Sequence, residues 1–132
     1  MIVLDASVLI AALVDDGEGG ELARTRLGAS QSLHAPELLD VEVLSSLRRL
    51  TRSGRITERR AVRAMDDMHD LAVHRYSQLA FSWRIWDLRE NLTSYDACYI
   101  ALAEALECAL VTADRTIANC PGRRCEVEWL RR

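Results

Sequence analysis

Ile2-Val3-Leu4-Asp5-Ala6-Ser7 runs three apolar residues into an aspartate. An unbroken apolar triplet reads as a short strand buried on both faces, the kind found in parallel sheets covered by helices. Val8–Val14 follows as a helix, stopped by the turn-forming Asp15-Asp16-Gly17. The same arrangement returns late in the chain, where Ala109–Thr112 reads as a strand and Asp114 lies just beyond it.

The segments between these two points alternate in kind. Glu21–Ala29 is expected to be helical, and Ser32–Ala35 is a second strand closed by Pro36. Leu39, Val43, Leu47 and Leu50 recur at helical spacing within Glu37–Ser53, with Gly54 as C-cap. Thr57 is placed to cap a helix running to His69. A third strand is expected over Leu71–Tyr76, helices over Leu79–Glu90 and Ser94–Leu106, and a fifth strand over Glu126–Leu130. Strands alternating with helices predict an α/β fold, a parallel sheet covered on both faces. The 132 residues, 49% of them apolar, form one domain with no repeat and no linker.

Composition removes several functions. The formal charge is −3, so no basic excess announces a nucleic-acid partner. All 17 basic residues are arginine, which excludes any mechanism that needs a catalytic lysine. That removes response-regulator receivers and phosphatases of the haloacid dehalogenase type; the latter also need an aspartate where Ser7 stands. Cys98, Cys108, Cys120 and Cys125 form no C-x-x-C pair and lie far in sequence from His34, His69 and His74. They read as reduced thiols rather than zinc ligands, with Cys98 and Cys108 packed as small apolar groups. With no apolar run long enough to span a membrane and no leader-like start, the expectation is a cytoplasmic protein.

In an open parallel sheet, ligands bind beyond the carboxyl ends of strands where the strand order reverses. If strands one and four are neighbours, Asp5 and Asp114 face each other there. Asp96 falls in the first turn of a helix opened by Thr93 or Ser94, where an acid also suits the helix dipole. Glu42 lies at the margin of its helix's apolar stripe, and periodicity does not choose between it, Glu37 and Asp40.

Val3-Leu4-Asp5-Ala6-Ser7, Glu42 six residues after Pro36, Tyr95-Asp96-Ala97 and Leu110-Val111-Thr112-Ala113-Asp114-Arg115 resemble the four motif blocks of the PIN-domain family, in its order and spacing. Leu88–Ala97 is similar in particular to VapC-type toxins of VapBC toxin–antitoxin systems. The resemblance selects Glu42 and implies that Asp5, Glu42, Asp96 and Asp114 form one acidic, catalytic and metal-holding pocket, supported by Ser7 and Thr112. It implies a five-stranded parallel sheet in the order 3-2-1-4-5. A further acid that some members carry after the last motif aspartate is replaced here by Arg115, Thr116, Ile117 and Ala118.

Four like charges repel unless a cation joins them, and carboxylates without thiol or imidazole suit Mg²⁺, with Mn²⁺ as a substitute. Such ions activate water and stabilise transferring phosphoryl groups, in pairs roughly 4 Å apart in two-metal sites. The resemblance therefore implies an endoribonuclease leaving a 5′-phosphate and a 3′-hydroxyl. It also implies a homodimer and a VapB-like antitoxin whose flexible tail folds onto the toxin; such a tail needs an apolar groove, for which Val8–Val14 and Glu21–Ala29 are the candidate walls. A catalytically silent scaffold that only binds RNA or protein is the alternative.

Arg89 and Arg115, near motif acids, are the expected RNA-backbone contacts. The arginines from Arg48 to Arg63 read equally as a partner-binding surface or a solvated face. Trp83, Trp86 and Tyr99 read as core or dimer interface rather than base-stacking platforms.

Overall fold

A computed structural model describes residues 1–131. Five parallel strands form one sheet in the order β3-β2-β1-β4-β5: β1 (Ile2–Leu4), β2 (Leu33–Pro36), β3 (Val73–Tyr76), β4 (Ala109–Thr112) and β5 (Val127–Trp129). The expected order is the observed one. β1 pairs with β4 through Ile2↔Ala109, Val3↔Leu110 and Leu4↔Val111, so the chain's first strand lies beside one more than a hundred residues later. Ile2, Val3 and Leu4 are all buried, which explains why β1 has no polar face.

Seven helices flank the sheet: α1 (Ala6–Val14), α2 (Glu18–Gly28), α3 (Leu38–Arg52), α4 (Glu58–Asp70), α5 (Ser82–Asp87), α6 (Ser94–Leu106) and α7 (Arg115–Ala118). α1 packs against β4 and against α2, α3 and α4, while α6 lies on β1, β2 and β4. Ala97 to Ala103 of α6 are buried without interruption, so it has no solvent-facing stripe in its centre. Thr57 caps α4 as expected, accepting from the Arg60 amide.

Some expected boundaries move. α2 begins at Glu18, not Glu21, and Gly20 in its first turn is a contact point with α1. A Cβ on Gly20 would lie 1.8 Å from the Asp15 carbonyl oxygen at the end of α1. Arg24 then ties the two helices, donating to the carbonyls of Ala12 and Asp15, which α1 itself leaves unpaired. The long helix expected over Leu79–Glu90 is a 3₁₀ turn (Gln78–Phe81), the short α5 and further turns. Trp83 and Trp86 are 85% and 62% exposed, so neither belongs to the core. Tyr99, by contrast, is fully buried. α7 had no expected counterpart.

Candidate functional site

The strand order reverses between β1 and β4, and the acids gather beyond the carboxyl ends of those two strands. Asp5 leaves β1 and becomes the N-cap position of α1; its side chain is buried. Asp114 leaves β4 and caps α7, its Oδ1 accepting the amides of Thr116 and Ile117 at 2.7 and 3.4 Å. Asp96 sits in the first turn of α6 behind the Thr93 cap, whose hydroxyl accepts the Asp96 amide. Glu42 projects from α3, half-buried.

These four line one cavity of about 550 Å³ together with Ser7, Ser45, Ser46, Arg49, Val41 and Tyr95, among others. Of the competing acids, Asp40 is committed to a bidentate pair with Arg75 at 2.7 and 2.8 Å. Glu37 is exposed and does not line the cavity.

Hydroxyl groups hold the acids in place. Asp5 Oδ2 accepts from Ser7 Oγ at 2.5 Å and from Thr112 Oγ1 at 2.9 Å. Ser7 Oγ accepts the Ala113 amide and Thr112 Oγ1 accepts the Asp114 amide. The two hydroxyls therefore tie β1 to the segment that carries Asp114. Glu42 Oε1 accepts the Tyr99 hydroxyl at 2.6 Å.

The electrostatics are those of crowded carboxylates. Burial, with the Asp114 charge adding to it, pushes the Asp5 carboxyl above its ordinary pKa, against the pull of the Ser7 and Thr112 hydroxyls. Glu42 is raised by burial despite its bond from Tyr99. Asp96 rises to about 6, through burial first and then through the charges of Asp5, Asp114 and Glu42. Tyr99 is pushed far up by burial and by Glu42, so its hydroxyl keeps its proton and acts as a donor.

The donor set is oxygen only, with no thiol or imidazole on the wall. Among the described residues no three acids, cysteines or histidines stand close enough to form a ready chelate. The acids act on one another across an open cavity, an arrangement that suits a hard ion which keeps several waters, as Mg²⁺ does. A larger cavity of about 740 Å³ lies near Cys108 and Ala109, at the other end of β4. Its Arg84 and Glu104 satisfy each other at 2.6 and 3.1 Å, so the acid cavity is the better candidate for chemistry.

The expected RNA contacts are placed elsewhere. Arg89 lies over the Trp86 ring at 4.6 Å and donates to the Trp86 carbonyl. Arg115 lies 6.0 Å from the Trp129 ring. Neither lines the cavity; Arg49, from the α3 arginines, does. Two features escaped the sequence reading: Tyr99 as the partner of Glu42, and Tyr95, 62% exposed at the rim. The signal for the first was Tyr99 three residues after Asp96, hence on the same helix face.

A model of the PIN domain matches residues 2–122. The chain is 44% identical over 127 residues to Ribonuclease VapC9 of Mycobacterium tuberculosis, covering 96% of each protein. Its fold resembles the crystal structure of VapC20 of the same species, a Sarcin-Ricin loop cleaving toxin, with a TM-score of 0.70 at 15% identity over 92% of this chain and 95% of that one. A toxin–antitoxin complex from Klebsiella pneumoniae gives 0.66 at 20% identity, over 97% and 96%. The chain therefore belongs to the PIN-domain family, in its VapC-type branch.

Proposed function

We propose that this chain is a Mg²⁺- or Mn²⁺-dependent endoribonuclease and the toxin of a toxin–antitoxin pair. The observation that carries the reading is the convergence of Asp5, Glu42, Asp96 and Asp114 on one cavity at the strand-order reversal. Relatives named as VapC ribonucleases support the activity at 44% identity.

Asp5, Asp96, Asp114 and Glu42 would hold the ion, with Ser7 and Thr112 keeping Asp5 oriented. When bound, the ion lowers the pKa of water and offsets negative charge on the phosphate. Arg49 on the wall is placed for a flanking phosphate, and a guanidinium suits that contact. Arg115, next to Asp114 in sequence, and Arg89 extend this to the rest of the strand. The products would carry a 5′-phosphate and a 3′-hydroxyl.

An RNA-cutting enzyme active inside its own cell needs an inhibitor, and a VapB-like antitoxin fits the toxin–antitoxin complexes among the structural relatives. The protein is also proposed to act in the cytoplasm as a homodimer. Among the described residues no helix is long and apolar enough to cross a membrane.

The test is cleavage of a mixed RNA substrate by purified protein. Activity should vanish in EDTA, return with Mg²⁺ or Mn²⁺, and be absent from folded Asp5→Asn. Expression should arrest growth, expression of Asp96→Asn should not, and the neighbouring gene should restore growth. EDTA-resistant cleavage would overturn the metal mechanism. A folded protein that neither cleaves RNA nor binds Mn²⁺ would leave a silent scaffold instead.

A further inference from the structure

Three of the four carboxylates share one arrangement. Asp5 gives Oδ2 to Ser7 and Thr112, Asp114 gives Oδ1 to two α7 amides, and Glu42 gives Oε1 to Tyr99. No side chain of the described residues donates to the second oxygen of any of the three. Among the described residues no side-chain oxygen is both fully buried and unbonded, so these three second oxygens are open to the cavity.

The supports differ in origin. Asp114 is held by its own helix N-terminus, and Asp5 by a residue two positions on and by the neighbouring strand. Glu42 stands within α3, where no cap or turn restrains it, and its donor comes from α6, 57 residues later. Tyr99 is fully buried, and its ring is packed in the core. It lies three residues after Asp96, so one face of α6 delivers both an acid and the brace for another.

We propose that Tyr99 is a positioning residue that turns one oxygen of Glu42 away from the cavity, so that Glu42 would meet a divalent ion through a single oxygen, as Asp5 and Asp114 would. The proposal rests on the metal-dependent nuclease reading. One oxygen per carboxylate matches the short, octahedral coordination of Mg²⁺ and Mn²⁺. Ca²⁺ takes six to eight oxygens and accepts bidentate carboxylates. Tyr99 thus biases the site towards the smaller ions.

The experiment is calorimetric titration of wild type and Tyr99→Phe with Mn²⁺ and with Ca²⁺, alongside melting in EDTA. Tyr99→Phe keeps the ring and removes the donor. Its Mn²⁺ affinity should fall about tenfold, in the range for lost ligand supports, and its Ca²⁺ affinity should hold or rise. A merely structural defect would lower both alike. In a Glu42→Gln background, Tyr99→Phe should change Mn²⁺ affinity no further. If the Mn²⁺/Ca²⁺ affinity ratio of Tyr99→Phe stays within twofold of wild type, the proposal is overturned while the nuclease reading stands. If wild type binds neither ion, both fall. Should Tyr99→Phe not fold, wild type supplies the test by proton NMR. The Tyr99 hydroxyl proton should give a slowly exchanging downfield resonance, absent from Glu42→Ala, retained in Asp96→Asn and still present at saturating Mg²⁺. Its loss on Mg²⁺ binding would overturn the proposal.

Discussion

Thr112 links the two acids that end the central strands: its hydroxyl donates to Asp5 Oδ2 at 2.9 Å and accepts the Asp114 amide at 2.9 Å. Thr112→Val keeps the shape and removes both bonds. With Asp5 and Thr112 both buried, this should cost about 1–3 kcal/mol in chemical denaturation. It should also lower RNA cleavage by roughly 10- to 100-fold, the range for supports of metal ligands. A variant with wild-type cleavage would show that Ser7 alone orients Asp5.

Asp96 makes the metal-free fold less stable as pH rises. Its folded pKa of about 6 exceeds its ordinary 3.8, so between these values the native state holds a proton that the unfolded chain has released. Stability therefore falls as pH rises through that window, and the whole cost is present at pH 7. Asp96→Asn should raise metal-free stability by about 1–2 kcal/mol at pH 7.5, each pKa unit counting for about 1.36 kcal/mol before screening by water in the open cavity. The gain should shrink towards pH 4. Melting in EDTA across this range checks it, and a variant less stable than wild type at pH 7.5 would refute it.

Gly20→Ala should destabilise the protein although alanine is the better helix former. The added Cβ would meet the Asp15 carbonyl oxygen at 1.8 Å and the Ala11 carbonyl oxygen at 2.9 Å, so α2 must move off α1. A loss of about 2–3 kcal/mol is expected, read as a Tm lower by about 8–12 °C. Gly28→Ala meets nothing within 4 Å and serves as the control.

Leu79, Trp83 and Trp86 are 79%, 85% and 62% exposed, an apolar surface beside the 740 Å³ cavity that Trp83 helps to line. Burying it against the same surface of a second copy would give an isologous dimer. Wild type should sediment as a dimer at micromolar concentration, with a Tm that rises with protein concentration, and Trp83→Glu as a folded monomer whose Tm does not. A monomeric wild type would count against the dimer.

The fold was legible where patterns were strong. Ile2–Leu4, Ala109–Thr112 and Ser94–Leu106 stand where apolar runs and caps put them. It was illegible where tertiary contacts overrode local signals. Gly20 has little helix propensity of its own but is where α1 lies against α2, and the Trp83/Trp86 spacing mimics a core stripe on what is an exposed turn of helix. At the site, Asp5 and Asp114 followed from strand ends. Glu42 needed the family resemblance, because Asp40 is equally plausible on a wheel and is distinguished only by Arg75 on β3. Arg49 and Tyr99 depend on which helix faces which, and periodicity does not carry that information.

The pairing of β1 with β4 also bears on synthesis at the ribosome. β2, on one side of β1, follows within about thirty residues, but β4 on the other side, and Asp114 beyond it, come more than a hundred residues after Asp5. A nascent chain that has not delivered residue 114 has no complete acidic site, however much of its helical portion has formed. Translation cut short upstream of β4 would release a fragment with Asp5, Glu42 and Asp96 but no sheet to join them to a fourth acid. Whatever activity the finished protein has would thus begin only after residue 114 has been made and β4 has joined the sheet beside β1.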